Sequence, residues 1–250
     1  MNAIIENLRT TLSYNSDKAV KESQQRFFKE EVKTYGIKSA VTEKIGKEAF
    51  VAIQSEPKEA VFALCEELFK SGYLEESGIA CQWAYNLRKQ FVPDDFKTFE
   101  RWIEKYVTNW ATCDMLCNHT IGAFIEKYPV FVKELKRWAH SENRWMKRAA
   151  AVTFIIPARK GLFLSDILEI AGILLSSGDD MVQKGYGWAL KAASMSETFV
   201  KGSAETKKEH LDAVFNFVQK NKAIMPRTAL RYAIEKMPAD LKAKAMAKDR

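Results

Sequence analysis

The sequence predicts an all-α fold made of stacked helix pairs. Apolar side chains recur at helical spacing along most of the chain, whereas alternation with a period of two is scarce. Glycine and proline residues separate the apolar segments, and similar basic helix starts return at a nearly regular interval. These observations argue against a sheet-based fold and predict about a dozen helices with short connections.

Two segments show the helical spacing most clearly. Apolar residues recur at three- and four-residue intervals, first at Phe99, Trp102, Ile103, Tyr106 and Val107, and then at Leu211, Val214, Phe215 and Val218. A third helix is predicted over the apolar run 167–175, where Ser165 and Asp166 provide an N-cap signal.

A weak repeat underlies the predicted stacking. Basic residues near three similar helix starts, Lys147, Lys184 and Arg227, lie 37 and 43 positions apart, and residues 76–84 resemble an earlier member. Helix pairs at a spacing of about 40 residues are typical of HEAT-type solenoids, whose second helices line a concave face. The sequence therefore predicts a HEAT-like solenoid, a curved stack of antiparallel helix pairs.

The predicted organisation is a single HEAT-like α-helical domain over residues 1–250. A helical cap is expected at 1–75, the repeats with a binding cleft at 76–238, and a basic tail at 239–250. The expectation of one domain depends on the absence of a linker-like segment from the sequence.

The sequence lacks the usual signals of an exported or membrane protein. Residues 1–6 contain no basic segment followed by an apolar run, and no apolar stretch approaches the ~20 residues that span a bilayer. Cys65, Cys81, Cys113 and Cys117 give no disulfide framework and indicate a reducing compartment. We expect a soluble cytoplasmic protein that is monomeric, as many solenoids are.

Positive charge is concentrated in two parts of the chain. The net charge is +7, and residues 133–160 and 191–250 each hold a surplus of six Lys and Arg over Asp and Glu. Concentrated positive charge favours a polyanionic partner such as a nucleic acid. A solvated, lysine-rich helix surface is the alternative explanation.

Common catalytic and metal-binding motifs are absent from the sequence. There is no Gly-rich phosphate loop, no GxSxG nucleophile turn and no HExxH motif. Cys113, Cys117 and His119 lack the spacing of a zinc finger and a second ligand pair, so buried helix cysteines are the better interpretation. We expect no metal and no cofactor, and any catalysis should depend on carboxylate and aromatic side chains.

The most informative segment covers residues 108–117. Trp110 and Asp114 are four residues apart and share one face if the segment is helical. Asp114 is also the only acid between Glu104 and Glu126, and a solvated surface helix rarely shows a lone carboxylate beside a large aromatic side chain. The alternative is an Asp near a helix start, together with a core Trp.

Two downstream segments add further aromatic and basic residues. Trp145 and Arg148 lie in one of them, and Trp188 follows Gly185 and Gly187 in the other. Glycine inside a helix is less favourable than alanine by about 1 kcal/mol, so another backbone or a ligand is expected to approach closely there. For Trp145, a core position is the alternative.

In order and spacing, these segments resemble the active-site segments of the AlkD-like DNA alkylation repair proteins. The resemblance is carried by Trp110-x-x-x-Asp114, by residues 143–150 and by residues 183–191, and it extends to residues 27–37. It covers most of the chain, from about Arg26 to Pro238. The family consists of HEAT-like DNA glycosylases that excise positively charged N3- and N7-alkylated purines from duplex DNA without a deep base-flipping pocket.

The resemblance implies roles for individual residues. Asp114 matches the catalytic carboxylate, Trp110 and Trp188 match the aromatic pair that packs against the deoxyribose of the lesion, and Arg148 matches an arginine that contacts phosphate. Further implied or expected DNA-binding residues are Phe27 at the cleft, Lys191 at the DNA backbone, and Lys147, Lys184, Arg227 and Arg231 at second-helix positions.

The resemblance implies a monofunctional DNA-alkylpurine glycosylase, a hydrolase of N-glycosyl bonds that acts in DNA repair near the nucleoid. One position departs from the family pattern, since Ala111 stands where many members have a second Trp or Asp. Two alternatives stay open: a non-catalytic HEAT-repeat binder of damaged or branched DNA, and a protein-interaction scaffold.

Overall fold

The computed structural model describes residues 2–194 and 203–247, and regular structure within these ranges is helical. The one β-like feature of the described ranges is an isolated bridge between Lys33 and Tyr73. The predicted all-α fold is therefore confirmed. Residues 195–202 of the predicted repeats and 248–250 of the predicted basic tail lie outside the described residues, as does Met1.

The chain divides into two compact units, Met1–Leu116 and Cys117–Arg250. In the first unit the α-helices are α1 (Asn2–Tyr14), α2 (Lys18–Gln25), α3 (Ser39–Val51), α4 (Lys58–Ser71), α5 (Leu74–Asn86), α6 (Asp95–Tyr106) and α7 (Trp110–Met115). A short 3₁₀-helix, Arg88–Gln90, lies between α5 and α6. The predicted single domain, with its cap, repeats and tail, stays a prediction.

Helix α5 is the centre of the first unit, because α3, α4 and α7 all pack against it. The core beside it is rich in aromatic side chains. Phe62 and Phe69 of α4 meet Trp102 of α6 at ring-centroid distances of 5.3 and 5.1 Å. Such pairs bury large apolar areas, and the tilted and edge-to-face arrangement of the rings stabilises the core further. The spacing of Phe99, Trp102 and Ile103 therefore reflects a fully buried face of α6.

In the second unit the α-helices are α8 (Gly122–Lys127), α9 (Val132–Ala139), α10 (Arg144–Val152), α11 (Ile155–Arg159), α12 (Leu164–Leu174), α13 (Asp180–Ala193), α14 (Ala204–Asn221), α15 (Arg227–Ile234) and α16 (Ala239–Met246). A π-helical segment, Leu116–Ile121, precedes α8 in the chain, and a 3₁₀-helix, Pro129–Phe131, precedes α9. Helix α13 is central here, since α10, α11, α12, α14 and α15 pack against it.

Side-chain caps explain where several helices begin. Asn143 accepts a hydrogen bond from the backbone N–H of Trp145 at 2.9 Å, and Asp179 accepts one from Met181 at 2.8 Å. The predicted helix starts near these residues are confirmed. The predicted cap of α12 is wrong: Ser165 and Asp166 lie inside the first turn, and the helix begins after Phe163, whose φ is 63°.

Small residues let α15 pack closely against α13. A Cβ atom at Gly187 would lie 2.8 Å from the carbonyl oxygen of Ala229 and 2.7 Å from the Cβ atom of Tyr232. Both distances are shorter than real Cβ contacts, so the backbone of α15 occupies the space that a side chain would need. Of the two reasons expected for this glycine, close approach of another backbone is the one observed.

We predict opposite effects for two glycine-to-alanine substitutions in the second unit. Gly187→Ala should lower the free energy of unfolding by about 1–3 kcal/mol, because α13 and α15 must move apart. Gly172→Ala should raise it by up to about 1 kcal/mol, because alanine favours helix and the new Cβ would meet only Phe217, at 4.0 Å. Urea unfolding of both variants measures the difference. A Gly187→Ala protein as stable as wild type would contradict the close packing.

A buried ion pair joins α4 to α6 in the first unit. Lys58 Nζ lies 2.8 Å from Asp95 Oδ2, and the two side chains are only 7% and 9% exposed. Asp95 also accepts a hydrogen bond from the backbone N–H of Val92 at 2.8 Å. Two charges removed from water need such partners, because the remaining charge is left uncompensated when either partner is lost.

We predict that Lys58→Met destabilises the protein by about 3–5 kcal/mol, because it leaves Asp95 buried without its cation. The matched control is Lys97→Met, which removes an ion pair with Asp94 whose side chains are 80% and 83% exposed. The control should unfold at nearly the wild-type urea concentration, since exposed pairs contribute little. Equal midpoints for the two variants would show that the buried pair contributes no more than the exposed one.

Candidate active site and nucleic-acid interface

Asp114 lies on the short helix α7 of the first unit. The helix begins after Asn109, whose side chain accepts a hydrogen bond from the backbone N–H of Thr112 at 2.9 Å. Asp114 is the fifth of the six residues of α7 and is only 8% exposed. Asn109 takes the capping role, so Asp114 does not cap α7. The positive end of the helix dipole lies a full turn away from Asp114.

Trp110 is the first residue of α7, and it is half-buried rather than a core side chain. Its ring stacks on that of Phe28, with centroids 5.3 Å apart and an interplanar angle of 21°. Its indole Nε1–H donates to the backbone carbonyl of Phe27 at 3.3 Å. Because Trp110 and Asp114 are four residues apart on one helix, they share a face of α7. The alternative of a core Trp is wrong here.

Phe27 lies in the turn that follows α2, and 72% of it is exposed. Its backbone contacts Trp110, while its side chain points away from the core. The neighbouring Phe28 was not predicted from the sequence, because a single aromatic residue in a loop carries no periodic signal.

Arg148 and Trp188 belong to the second unit. Arg148, on α10, is 5% exposed, and its Nη1 donates to the backbone carbonyl of Met181 at 2.5 Å. A Cβ atom at Gly185 would lie 3.3 Å from Cγ of Arg148, so this glycine makes room for the arginine. Trp188, on α13, is half-buried. The predicted contact of Arg148 with a phosphate and the predicted role of Trp188 both stay predictions.

Trp145 occupies the core position named as its alternative. It is 7% exposed, and the guanidinium of Arg144 lies 4.9 Å from the centre of its ring. A cation over an indole face at this distance is attracted by the ring quadrupole. Trp145 therefore supports the packing of α10 and is not placed among the site residues.

Apart from Arg148, the predicted DNA-binding cations fall into two groups. Lys184 pairs with Asp180 at 3.3 Å, and Lys191 pairs with Glu235 at 3.1 Å with only 12% of its side chain exposed. The second group makes no ion pair within residues 2–194 and 203–247: Lys147, Arg227 and Arg231. Arg227 and Arg231 are exposed and lie four residues apart on α15, so they present two positive charges on one face.

A cavity of about 400 Å³ in the second unit adds a feature that the sequence did not indicate. His140, Arg144, Lys147 and Asp179 are among its lining residues. Arg144 Nε lies 2.9 Å from Asp179 Oδ2, so that charge is balanced within the wall. Lys147 is thereby placed at a concave polar surface, which is compatible with its predicted contact with DNA.

Within the described ranges, no group of three or more His, Cys, Asp and Glu side chains is arranged to hold a metal ion. Cys113 and Cys117 are both buried thiols, as predicted from the sequence. Among the helices of the described residues, none combines the length and the apolar character that crossing a membrane requires.

The structure places three of the predicted site residues in the first unit, where Trp110 shares α7 with Asp114 and bonds to the backbone of Phe27. The other seven lie in the second unit, on α10, α13 and α15: Lys147, Arg148, Lys184, Trp188, Lys191, Arg227 and Arg231. Each unit thus contributes its own set, one with a carboxylate and aromatic rings and the other mainly with cations. The functional roles of all ten stay predictions.

Comparison with known proteins identifies the family. The model of the family described as "DNA alkylation repair enzyme" matches residues 8–237. A solved structure of a predicted DNA alkylation repair enzyme from Enterococcus faecalis is similar to this chain, with a TM-score of 0.74 and 14% identity. The similarity covers 90% of this chain and 98% of that one, and at this identity it supports the fold alone. No curated protein matches the chain significantly. With most of its length matched by the family model, the chain belongs to the DNA alkylation repair enzyme family.

Proposed function

We propose that the protein is a monofunctional DNA glycosylase that releases positively charged N3- and N7-alkylated purines from duplex DNA. Membership of the DNA alkylation repair enzyme family supports the repair role. The observation that carries the proposal is Asp114, a carboxylate that is 8% exposed and shares a helix face with the half-buried indole of Trp110. A buried carboxylate beside an aromatic ring is an arrangement that can stabilise a sugar cation.

The proposed reaction breaks the bond between C1′ and the purine nitrogen. The bonding electron pair leaves with the base and neutralises its positive charge, so the departing base needs no protonation. Positive charge then develops on the sugar as an oxocarbenium ion, and water adds to C1′ and loses a proton. Because the charge reaches the sugar only in the transition state, a fixed carboxylate near C1′ stabilises the transition state more than the ground state.

Asp114 supplies that carboxylate in the proposal and can also accept the proton of the attacking water. Trp110 and Trp188 are proposed to present their ring faces to the cationic sugar and base, an interaction of about 0.5–2 kcal/mol for each ring. The proposed chemistry uses no metal ion and no cofactor. A neutral lesion, which lacks the built-in charge that makes the base a good leaving group, should be released poorly.

The proposed substrate is double-stranded DNA that is held by charge. Phosphate contacts from Arg148 and the exposed cations would position the duplex without reading its sequence. Lys147, Arg227 and Arg231 are the strongest candidates, since they make no ion pair within residues 2–194 and 203–247. We propose that the protein acts as a monomer in the cytoplasm, at the nucleoid.

We predict that Asp114→Asn lowers single-turnover release of 7-methylguanine from alkylated duplex DNA by about 10²–10³-fold, because the charge opposite the sugar cation is lost. Binding to the same DNA should be retained. The matched control is Asp212→Asn, which changes an acid 55% exposed on α14 and should release base at the wild-type rate.

Three outcomes of the base-release and DNA-binding measurements are informative. Undiminished release by Asp114→Asn would remove Asp114 from the mechanism. Wild-type protein that binds alkylated DNA but never releases a base would instead favour the non-catalytic binder. A lack of salt-dependent DNA binding would point to the protein-interaction scaffold.

We predict that charge removal on α15 changes the salt dependence of DNA binding. If six phosphates are contacted, log Kd should rise with log salt concentration at a slope of about 5, since each contact contributes about 0.9. Arg227→Gln and Arg231→Gln should each reduce the slope by about 0.9. The control is Lys136→Gln, because Lys136 already pairs with Asp166 at 2.9 Å and Glu169 at 2.6 Å. Equal slopes for the wild type and both arginine variants would exclude α15 from the interface.

A further inference from the structure

The orientation of the Trp110 ring depends on contacts from outside its own helix. Trp110 is the first residue of α7, so the helix supports it on one side only. The described contacts of its ring come from the loop between α2 and α3, residues 26–38: the stacked ring of Phe28 at 5.3 Å and the carbonyl of Phe27 at 3.3 Å. The stacking on Phe28 fixes the plane of the indole ring, and the hydrogen bond to the Phe27 carbonyl fixes the rotation of the ring within that plane.

The 26–38 loop has almost no regular secondary structure and is instead held by side chains. Gln25 bridges it, because its Nε2 donates to the carbonyl of Glu30 at 2.9 Å and its Oε1 accepts from the N–H of Val32 at 3.1 Å. Gln24 donates to the carbonyl of Ile37 at 2.8 Å. The loop thus has one defined conformation that depends on a few polar residues.

Glu75 attaches this loop to α5. Its carboxylate is 4% exposed and accepts hydrogen bonds from the backbone N–H groups of Tyr35, Gly36 and Ile37 at 3.0–3.1 Å. The hydroxyl of Thr34 donates a further bond at 2.7 Å. Bonds from N–H groups to a carboxylate are roughly twice as strong as neutral ones. Glu75 alone therefore makes four of the hydrogen bonds that hold the loop against α5.

The neighbouring Glu76 provides a second attachment. It is 1% exposed, accepts a paired hydrogen bond from Arg9 at 3.0–3.2 Å, and accepts one from the hydroxyl of Tyr35 at 2.7 Å. Burial and the bond to Glu76 raise the pKa of Tyr35 above its usual value, so its hydroxyl stays protonated and can donate at neutral pH. The ring of Tyr35 also stacks on Tyr73, with centroids 4.3 Å apart.

We infer that Phe28 is a positioning residue for Trp110, and that Glu75 acts through the loop to hold Phe28 in place. This inference deepens the proposed function and rests on it, because the orientation of Trp110 matters most where its ring meets the lesion. Phe28 itself is not assigned a contact with DNA. Its effect is to keep the indole face of Trp110 in one orientation, which removes a conformational search from the reaction.

The test uses full-length protein labelled with 5-fluorotryptophan. The chain has six tryptophans, so the ¹⁹F spectrum has few resonances, and Trp110→Phe assigns the one of interest. Phe28→Leu should shift or broaden the Trp110 resonance and leave the other five tryptophan resonances in place. Glu75→Gln should also shift or broaden the Trp110 resonance, although Glu75 bonds to the loop and not to Trp110. Phe28→Tyr, which keeps the ring, should restore the wild-type resonance. Tyr14→Leu is the control, since Tyr14 is 90% exposed.

The same variants are then assayed for base release. Phe28→Leu should lower kcat by about tenfold while KM and the affinity for undamaged DNA stay near the wild-type values, because Phe28 acts on the reacting state through Trp110. Phe28→Tyr should recover the rate. A role in folding alone would instead lower the melting temperature without moving the Trp110 resonance in the folded protein. If Phe28→Leu protein does not fold, the Trp110 resonances of the Glu75→Gln and Phe28→Tyr proteins test the inference. The first should be shifted or broadened, and the second should match that of the wild type.

The outcomes separate this inference from the proposed function. An unchanged Trp110 resonance and kcat in folded Phe28→Leu protein would overturn the inference and leave the glycosylase proposal intact. A wild-type protein that releases no base would overturn the glycosylase proposal. The ¹⁹F spectrum, recorded without DNA, would then still confirm or contradict the positioning of Trp110 by Phe28.

Discussion

The acidic first turn of α5 is the constraint on which the first unit depends. Glu75 and Glu76 are 4% and 1% exposed, and adjacent buried carboxylates are unfavourable unless each is well bonded. Here each accepts several hydrogen bonds, and nearly all of them come from the 26–38 loop and α1. Because α7 also packs against α5, one helix supports both Asp114 and the loop that contacts Trp110. The candidate catalytic helix is thus held in place by α5, although α7 has only six residues.

In the second unit, acids balance much of the charge that looks prominent in the sequence. Residues 133–160 have a surplus of six cations, yet Lys136, Arg144 and Lys160 pair with acids that lie outside that segment. These partners are distant in sequence, so a count along the chain overstates the local positive field. The cations of α15 are better placed to attract a phosphate, because Arg227 and Arg231 are exposed. For attracting a phosphate, the exposure and pairing of a cation in the folded chain matter more than the surplus of Lys and Arg in its segment of the sequence.

The parts of the fold that the sequence predicted were those with local physical causes. Asn143 and Asp179 bond to backbone N–H groups two residues away, so the helix starts predicted near Lys147 and Lys184 have a cause contained in a short segment. The start of α12 was mispredicted, because Phe163 at φ 63° precedes the helix and no sequence rule favours a phenylalanine in that conformation. Phe28 was missed for a different reason. Its partner is 82 positions away in the chain, and only the folded chain brings the two rings together.

The family resemblance identified Asp114 and Trp110 as a pair, and the structure adds what holds them. Spacing alone left an Asp near a helix start and a core tryptophan as the alternative; the cap of α7 is Asn109, and Trp110 is half-buried and does not lie in the core. Ala111, next to Trp110, has only a methyl side chain. The contacts of Phe27 and Phe28 then become more important, because they are the described support for the indole from beyond α7.

The position of Asp114 within α7 bears on the type of chemistry that the proposed site could perform. Asp114 lies a full turn past the start of α7, beyond the first-turn N–H groups where the positive pole of the helix dipole acts most strongly. In the proposed mechanism a single acid serves the sugar, and no second acid is assigned to protonate the departing base. Such a site depends on a base that already carries positive charge. The substrate class would then be selected largely by leaving-group chemistry, and a close-fitting pocket around the base would not be required.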